Sequence, residues 1–116
     1  MIQLTAQTRI LLATRCADFR KGIDGMVAIC RLELAKDPRS GTLFVFINRS
    51  RTMIRALRYD GNGFWLMTKR LSKGTFQGWP APGDVVHGME APRLSLMLRG
   101  LPCEGKAVSV PVKNTA

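Results

Sequence analysis

The segment Thr42-Leu43-Phe44-Val45-Phe46-Ile47 constrains this chain more than any other. It is apolar on both alternating sets of positions and rich in β-branched and aromatic residues, so it reads as a strand. Successive strand side chains point to opposite faces, and here neither face suits water. Both faces must therefore be covered, which makes the strand a central one.

The flanking sequence supplies its neighbours. Asn48-Arg49-Ser50-Arg51-Thr52 is a polar, basic connection, and Met53 to Tyr59 reads as a second strand. Asp60-Gly61-Asn62-Gly63 follows, with residue types that tolerate the positive φ of tight hairpins, and Phe64 to Thr68 is the return strand. Together these form a three-stranded meander over residues 42–69. Upstream, Arg9 to Ala13 reads as a short buried strand. Ile23, Val27, Cys30 and Leu34 then recur on one helical face, with Asp18 or Asp24 to cap the helix and Asp37-Pro38 to end it.

Downstream, Gly74 to Pro80 is expected to add a short edge strand stopped by Pro80, and Ala81 to Gly88 reads as loop. Pro92 opens a last helix carrying Leu94, Met97, Leu98 and Leu101, with Gly100 at its end. The expected fold class is α+β: a small antiparallel sheet built on the meander, with a helix before it and a short helix after it. Residues 1–101 are expected to form a single domain, and 102–116, thin in large apolar residues, a flexible tail.

At 116 residues the chain suits one domain with a real core. No apolar run reaches the ~18 residues a spanning helix needs, and the N-terminus lacks a signal-peptide pattern. Cys16, Cys30 and Cys103 are odd in number with no CxxC spacing, which suits reduced thiols rather than a disulfide framework or a zinc site. These features point to a cytoplasmic protein, for which no cofactor or metal is expected. The charge narrows the choice of partners. Eighteen Lys and Arg against eight Asp and Glu leave a net charge of +10 and a pI near 10.6. Such an excess costs self-repulsion and is commonly used to attract a polyanion. Nucleic acid leads, because each phosphate contact releases condensed counterions.

Several blocks occur in an order shared with one known family. Asp18-Phe19-Arg20-Lys21-Gly22-Ile23-Asp24-Gly25 is similar to its Asp-x-Arg-Lys-Gly-x-Asp-Gly signature. Leu43-Phe44-Val45-Phe46 with Asn48-Arg49 resembles the next block. Leu57 to Phe64, then Lys69-Arg70-Leu71, Gly74, Phe76 and Trp79-Pro80, resemble the third. The chain thus resembles the TnpB-type accessory proteins of bacterial insertion sequences of family sixty-six, which are unrelated to the RNA-guided nuclease sharing that name. Tyr59 stands where the family commonly shows Trp, and Gly78 is one extra residue between Phe76 and Trp79. The resemblance implies a non-enzymatic protein that assists transposition beside a transposase. It carries over no catalytic residue.

The candidate nucleic-acid-binding residues are Arg49, Arg51, Lys69, Arg70 and Lys73, which the meander brings to one rim, and Arg20 and Lys21 beside a helix start. Arg55 and Arg58, three residues apart on one strand, face opposite ways and cannot share a patch. Trp65 is the candidate for base stacking, since Phe64 and Leu66 point to the other face. Phe64, Phe76 and Trp79 otherwise suit the core. An adaptor that binds transposase without touching DNA is the alternative. A metal-dependent nuclease using Asp18, Asp24 and Asp60 is a weaker one, because these aspartates already suit local turns. His87 has no Ser or Cys near it in sequence, and Cys30 falls on the apolar helix face.

Overall fold

The computed structural model describes residues 4–100. The elements run β1 (Ile10–Ala13), α1 (Ile23–Leu32), β2 (Leu43–Ile47), β3 (Met53–Tyr59), β4 (Phe64–Arg70), β5 (Val86–Gly88) and α2 (Ala91–Leu98). One five-stranded sheet has the order β4-β3-β2-β1-β5. It is mostly antiparallel, as expected of this α+β fold. The exception is β1, which runs parallel to β2, with Leu11 beside Phe44. A parallel neighbour needs a crossover, and α1 provides it.

β2 sits between β1 and β3 and is buried at all five positions. Its two faces belong to two cores. Leu43, Val45 and Ile47 join Ile54 and Ala56 of β3 beneath Ala91, Leu94 and Met97 of α2. Phe44 and Phe46 join Leu57 beneath Met26, Ile29, Cys30 and Leu34 of α1 and its C-terminal turn. The sheet is thus sandwiched between helices, the arrangement demanded by a strand apolar on both sides.

Three local expectations need correction. The edge strand is Val86–Gly88, within the stretch read as loop, and residues 74–80 form no strand. Gly74 and Gly78 have φ of +79° and +82°, so the chain turns at both and cannot stay extended. This coil lays Phe76 and Trp79 into the α2-side core, and the Trp79 indole N–H donates to the Ala13 carbonyl at 3.1 Å. Truncating Phe76 to Ala there costs about 3–5 kcal/mol.

Helix α1 stops before Asp37-Pro38. Ala35 has a φ of +53°, and the Lys36 N–H reaches back six residues to the Cys30 carbonyl, so the helix ends with alanine at a left-handed position. Neither Asp18 nor Asp24 caps the start. The capping position is Gly22, which makes no side-chain bond, and Asp24 lies in the first turn, where its charge suits the helix dipole. Pro92 does open α2, and the Gly100 N–H bonds the Met97 carbonyl beyond its last turn. The expected tail and Leu101 lie outside the described residues.

Candidate functional site

Strand direction sorts the loops to the two ends of the sheet. β1 and β2 are parallel and adjacent, so the segments following them, 14–22 and 48–52, emerge side by side. β3 begins and β4 finishes at that same end, with Met53 opposite Arg70. The Leu71 N–H donates to the Thr52 carbonyl at 3.0 Å, and the Phe76 N–H to the Arg51 carbonyl at 2.8 Å. Arg15, Arg20, Lys21, Arg49, Arg51, Arg70 and Lys73 are therefore gathered at one end of the sheet, all exposed.

The 48–52 loop is held by its own polar side chains. Asn48 Oδ1 accepts from the N–H groups of Thr52 and Met53, both at 3.0 Å. Its Nδ2 donates to Ser50 Oγ and Thr52 Oγ1. The loop tip leaves Arg51 with a φ of +62°, a conformation unfavourable for a residue with a Cβ. Arg49 and Arg51 are thereby displayed on an ordered turn.

The 14–22 segment is fastened along its length, beginning with Thr14, whose hydroxyl donates to the Asp84 carbonyl at 2.7 Å. The Ala17 N–H donates to the Ile47 carbonyl at 2.8 Å, which pins it to the end of β2. Asp18 takes the Arg20 N–H at 3.0 Å and pairs with the Arg20 guanidinium at 2.8 Å. Hydrogen bonding from that guanidinium, then from the backbone N–H, holds the Asp18 carboxyl at about 2. Finally, Arg55 of β3 donates through Nη1 to the Lys21 carbonyl at 2.7 Å. Gly25 permits a close approach here, since a Cβ on it would meet Lys21 Cβ at 2.5 Å.

The expected rim residues divide. Arg49, Arg51, Arg70 and Lys73 share the end of the sheet described above. Lys69 lies opposite Ile54 and is committed elsewhere, because its ammonium donates to the Leu98 carbonyl at the end of α2. A cation suits the negative pole of a helix, and the contact turns Lys69 toward α2 rather than toward the 48–52 loop. Arg20 and Lys21, read from sequence as a separate site, are in fact neighbours of the rim. Arg20 and Arg49 line one groove of about 780 Å³, with Ala17, Phe19, Ser50 and Met53 among its other residues. Sequence reasoning missed this juncture, although strand–helix–strand order over residues 10–47 is the pattern of a parallel crossover.

Trp65 stands apart from the rim. It pairs with Arg58 near the hairpin at the opposite end of the sheet, is 60% exposed, and donates its indole N–H to Asp60 Oδ2 at 2.7 Å. That bond is the main cause of the lowered Asp60 pKa. Arg55 and Arg58 do face opposite ways: Arg55 reaches the α1-side loop, and Arg58 is exposed. Asp60 lies at the other end of the sheet from Asp18 and Asp24, so the three carboxylates do not converge. Among the described residues, no group of three or more His, Cys, Asp or Glu could hold a metal ion. Burial pushes the Cys30 thiol up to about 12.

The two ends of the sheet differ in charge. Glu33, Asp37, Asp60 and Glu90 sit at the hairpin end, among Arg9, Arg31, Lys36, Arg39, Arg58 and Arg93. At the other end Asp18, Asp24 and Asp84 face the longer set of cations, and Asp18 is tied up by Arg20. The excess positive charge is thus concentrated where β1 and β2 finish.

A small α+β protein with a cationic end and a sheet enclosed by two helices is the class these features define. The chain belongs to the insertion-sequence family described as IS66 Orf2 like protein, whose model matches residues 8–107. It is similar to uncharacterized protein y4jC of Sinorhizobium fredii (strain NBRC 101917 / NGR234), with 37% identity covering 87% of this chain and 86% of the relative. It is also similar to y4hO of the same strain, 32% identical over 87% of each chain. No solved structure matches it. No helix among the described residues is long and apolar enough to cross a membrane.

Proposed function

We propose that this protein is a non-enzymatic accessory factor of its insertion sequence that assists transposition in the bacterial cytoplasm by binding DNA through the cationic end of its sheet. The observation that carries this reading is the meeting of Lys21, Arg49, Arg51, Arg70 and Lys73 from three separate segments, beside Arg20, whose charge is shared with Asp18. Phosphates are the anions that such a spread of arginines suits, because guanidinium groups form paired hydrogen bonds with them. Fluorescence titration against labelled DNA at several salt concentrations tests it. Several phosphate contacts give a steep fall of affinity with salt, and a slope near zero would defeat the reading. Reversing the charge of Arg49, Arg51 and Arg70 is expected to weaken binding on all sequences alike.

A second surface supports contact with the transposase. An apolar groove of about 520 Å³ lies between β3, β4 and the end of α2, lined by Ile54, Ala56, Met67, Leu94 and Leu98. Should this groove carry the whole function, the protein is an adaptor and its charge only speeds encounter with an acidic partner. Co-purification of the two proteins that survives nuclease treatment favours a direct contact, and loss of the complex on that treatment counts against it.

A further inference from the structure

The groove between segments 16–20 and 48–53 is not simply a charged surface. Its half-buried members are Ala17, Phe19 and Met53 together with the amide of Asn48, whose polar atoms are engaged within the 48–53 loop, and its exposed members include Arg20, Arg49, Ser50 and the Arg20-paired Asp18. An apolar floor between cationic lips contributes little to a duplex, whose bases are stacked away and whose outer surface is phosphate and sugar. It suits a strand whose bases are unpaired, because an exposed base has an apolar face to lay on an aromatic ring while its phosphate meets arginine. At about 780 Å³ the groove falls within the roughly 300–1,000 Å³ that accommodates small organic ligands.

Two further features fit such an occupant. The Arg55 guanidinium carbon lies 4.9 Å from the centre of the Phe19 ring, which also packs against the α1-side core, so the ring is fixed beforehand and only the part of it that lines the groove meets a base. The cations also remain available. Arg49 makes no side-chain hydrogen bond or ion pair among the described residues. Arg20 meets Asp18 through Nε and Nη2, and its Nη1 takes no part in that pair.

We propose that this groove binds unpaired DNA, with a base against Phe19 and Met53 and the adjoining phosphates on Arg20 and Arg49. The proposal rests on the DNA-binding reading and sharpens it to single strands. The test is a pair of titrations at matched salt, one with a fluorescein-labelled oligothymidylate and one with a blunt duplex of equal length. The single strand is expected to bind more tightly by on the order of tenfold, the gain from about one stacked base. In the Phe19→Leu variant that preference is expected to shrink toward unity while duplex affinity holds. Photocrosslinking of the unaltered protein to a 4-thiothymidine strand gives a readout independent of any variant, with adducts expected at Phe19 or Met53. Equal affinity for strand and duplex, with a steep salt slope for both, overturns this proposal and leaves the DNA-binding reading standing. Adducts confined to Trp65 overturn it as well. Binding to neither nucleic acid overturns the DNA-binding reading itself.

Discussion

The Arg55 guanidinium lies over the Phe19 ring at 4.9 Å while its Nη1 holds the Lys21 carbonyl at 2.7 Å, so one β3 side chain fastens both sides of the loop that carries Arg20. Its Nε also donates to Thr68 Oγ1 on β4 at 3.1 Å. Replacing it by Lys keeps the charge and loses the planar fork. Arg55→Lys is expected to cost about 1–2 kcal/mol, from one or two hydrogen bonds and part of the ring contact. Urea unfolding measures the loss. Hydrogen exchange should show faster opening of residues 18–22 than of β3.

Arg51 presents an opposite trade. Its positive φ is a conformation that glycine adopts without strain. Arg51→Gly is expected to leave stability unchanged or raise it by up to about 1 kcal/mol, the relief of φ strain being offset in part by a freer unfolded chain. DNA affinity is expected to fall through the lost cation. Thermal melting and salt-dependent titration of the same variant check both halves. A loss of stability above about 1 kcal/mol would show that the Arg51 side chain supports the loop.

The Asp18 carboxyl predicts a pH response with a definite sign. Its folded value is depressed from 3.8 to about 2, chiefly by the Arg20 side chain. The help it gives to the folded loop is therefore present above 3.8 and disappears as the pH falls through about 2. Carbon-detected NMR titration of Asp18 is expected to give a midpoint near 2 in the native protein and a return toward 3.8 in Arg20→Ala. A midpoint unmoved by that substitution would disprove the pairing.

Thiol chemistry separates two cysteines. Cys30 is fully buried on the inner face of α1 and its thiol is pushed up to about 12, whereas Cys16 is exposed. Alkylation at neutral pH with mapping by mass spectrometry is expected to label Cys16 within minutes and Cys30 only after denaturation, because the thiolate is the reactive form. Rapid native labelling of Cys30 would show that α1 opens readily from the sheet.

Helix α1 ends on a residue that invites improvement. Ala35 occupies a left-handed position where glycine is the usual choice. Ala35→Gly is expected to stabilise the fold by up to about 1 kcal/mol, the relief of φ strain outweighing the freer unfolded chain, read as a higher urea midpoint with unchanged slope.

The parts of this fold that could be read in advance are those where side-chain pattern and backbone demand coincide. Residues 43–47 announced a strand covered on both faces because every position is apolar, and Asp60-Gly61-Asn62-Gly63 announced the hairpin. Where the pattern was ambiguous, tertiary contacts decided. Thr75 to Trp79 has the residue types of a strand, yet its aromatics serve the core from a coil, while Val86–Gly88 carries little strand character and pairs because β1 needs an antiparallel neighbour. Of the cationic end, the convergence of Arg49, Arg51 and Arg70 followed from the meander alone. That Arg20 shares a groove with Arg49 depends on β1 lying parallel beside β2, and strand direction leaves no mark on individual residues. Nor did any local signal reveal that Lys69 is engaged by the carbonyl of Leu98.

The position of β1 bears on how the chain acquires its structure. β2, β3 and β4 pair through short connections and can zip together early. β1 touches β2 only after the whole of α1 has been looped out, and it meets β5 across most of the described chain, as Leu12 does His87. Closing such distant contacts costs loop entropy before the core returns any gain. The strand that brings the two basic loops side by side is thus expected to be the one inserted last, which would make the groove a late product of folding.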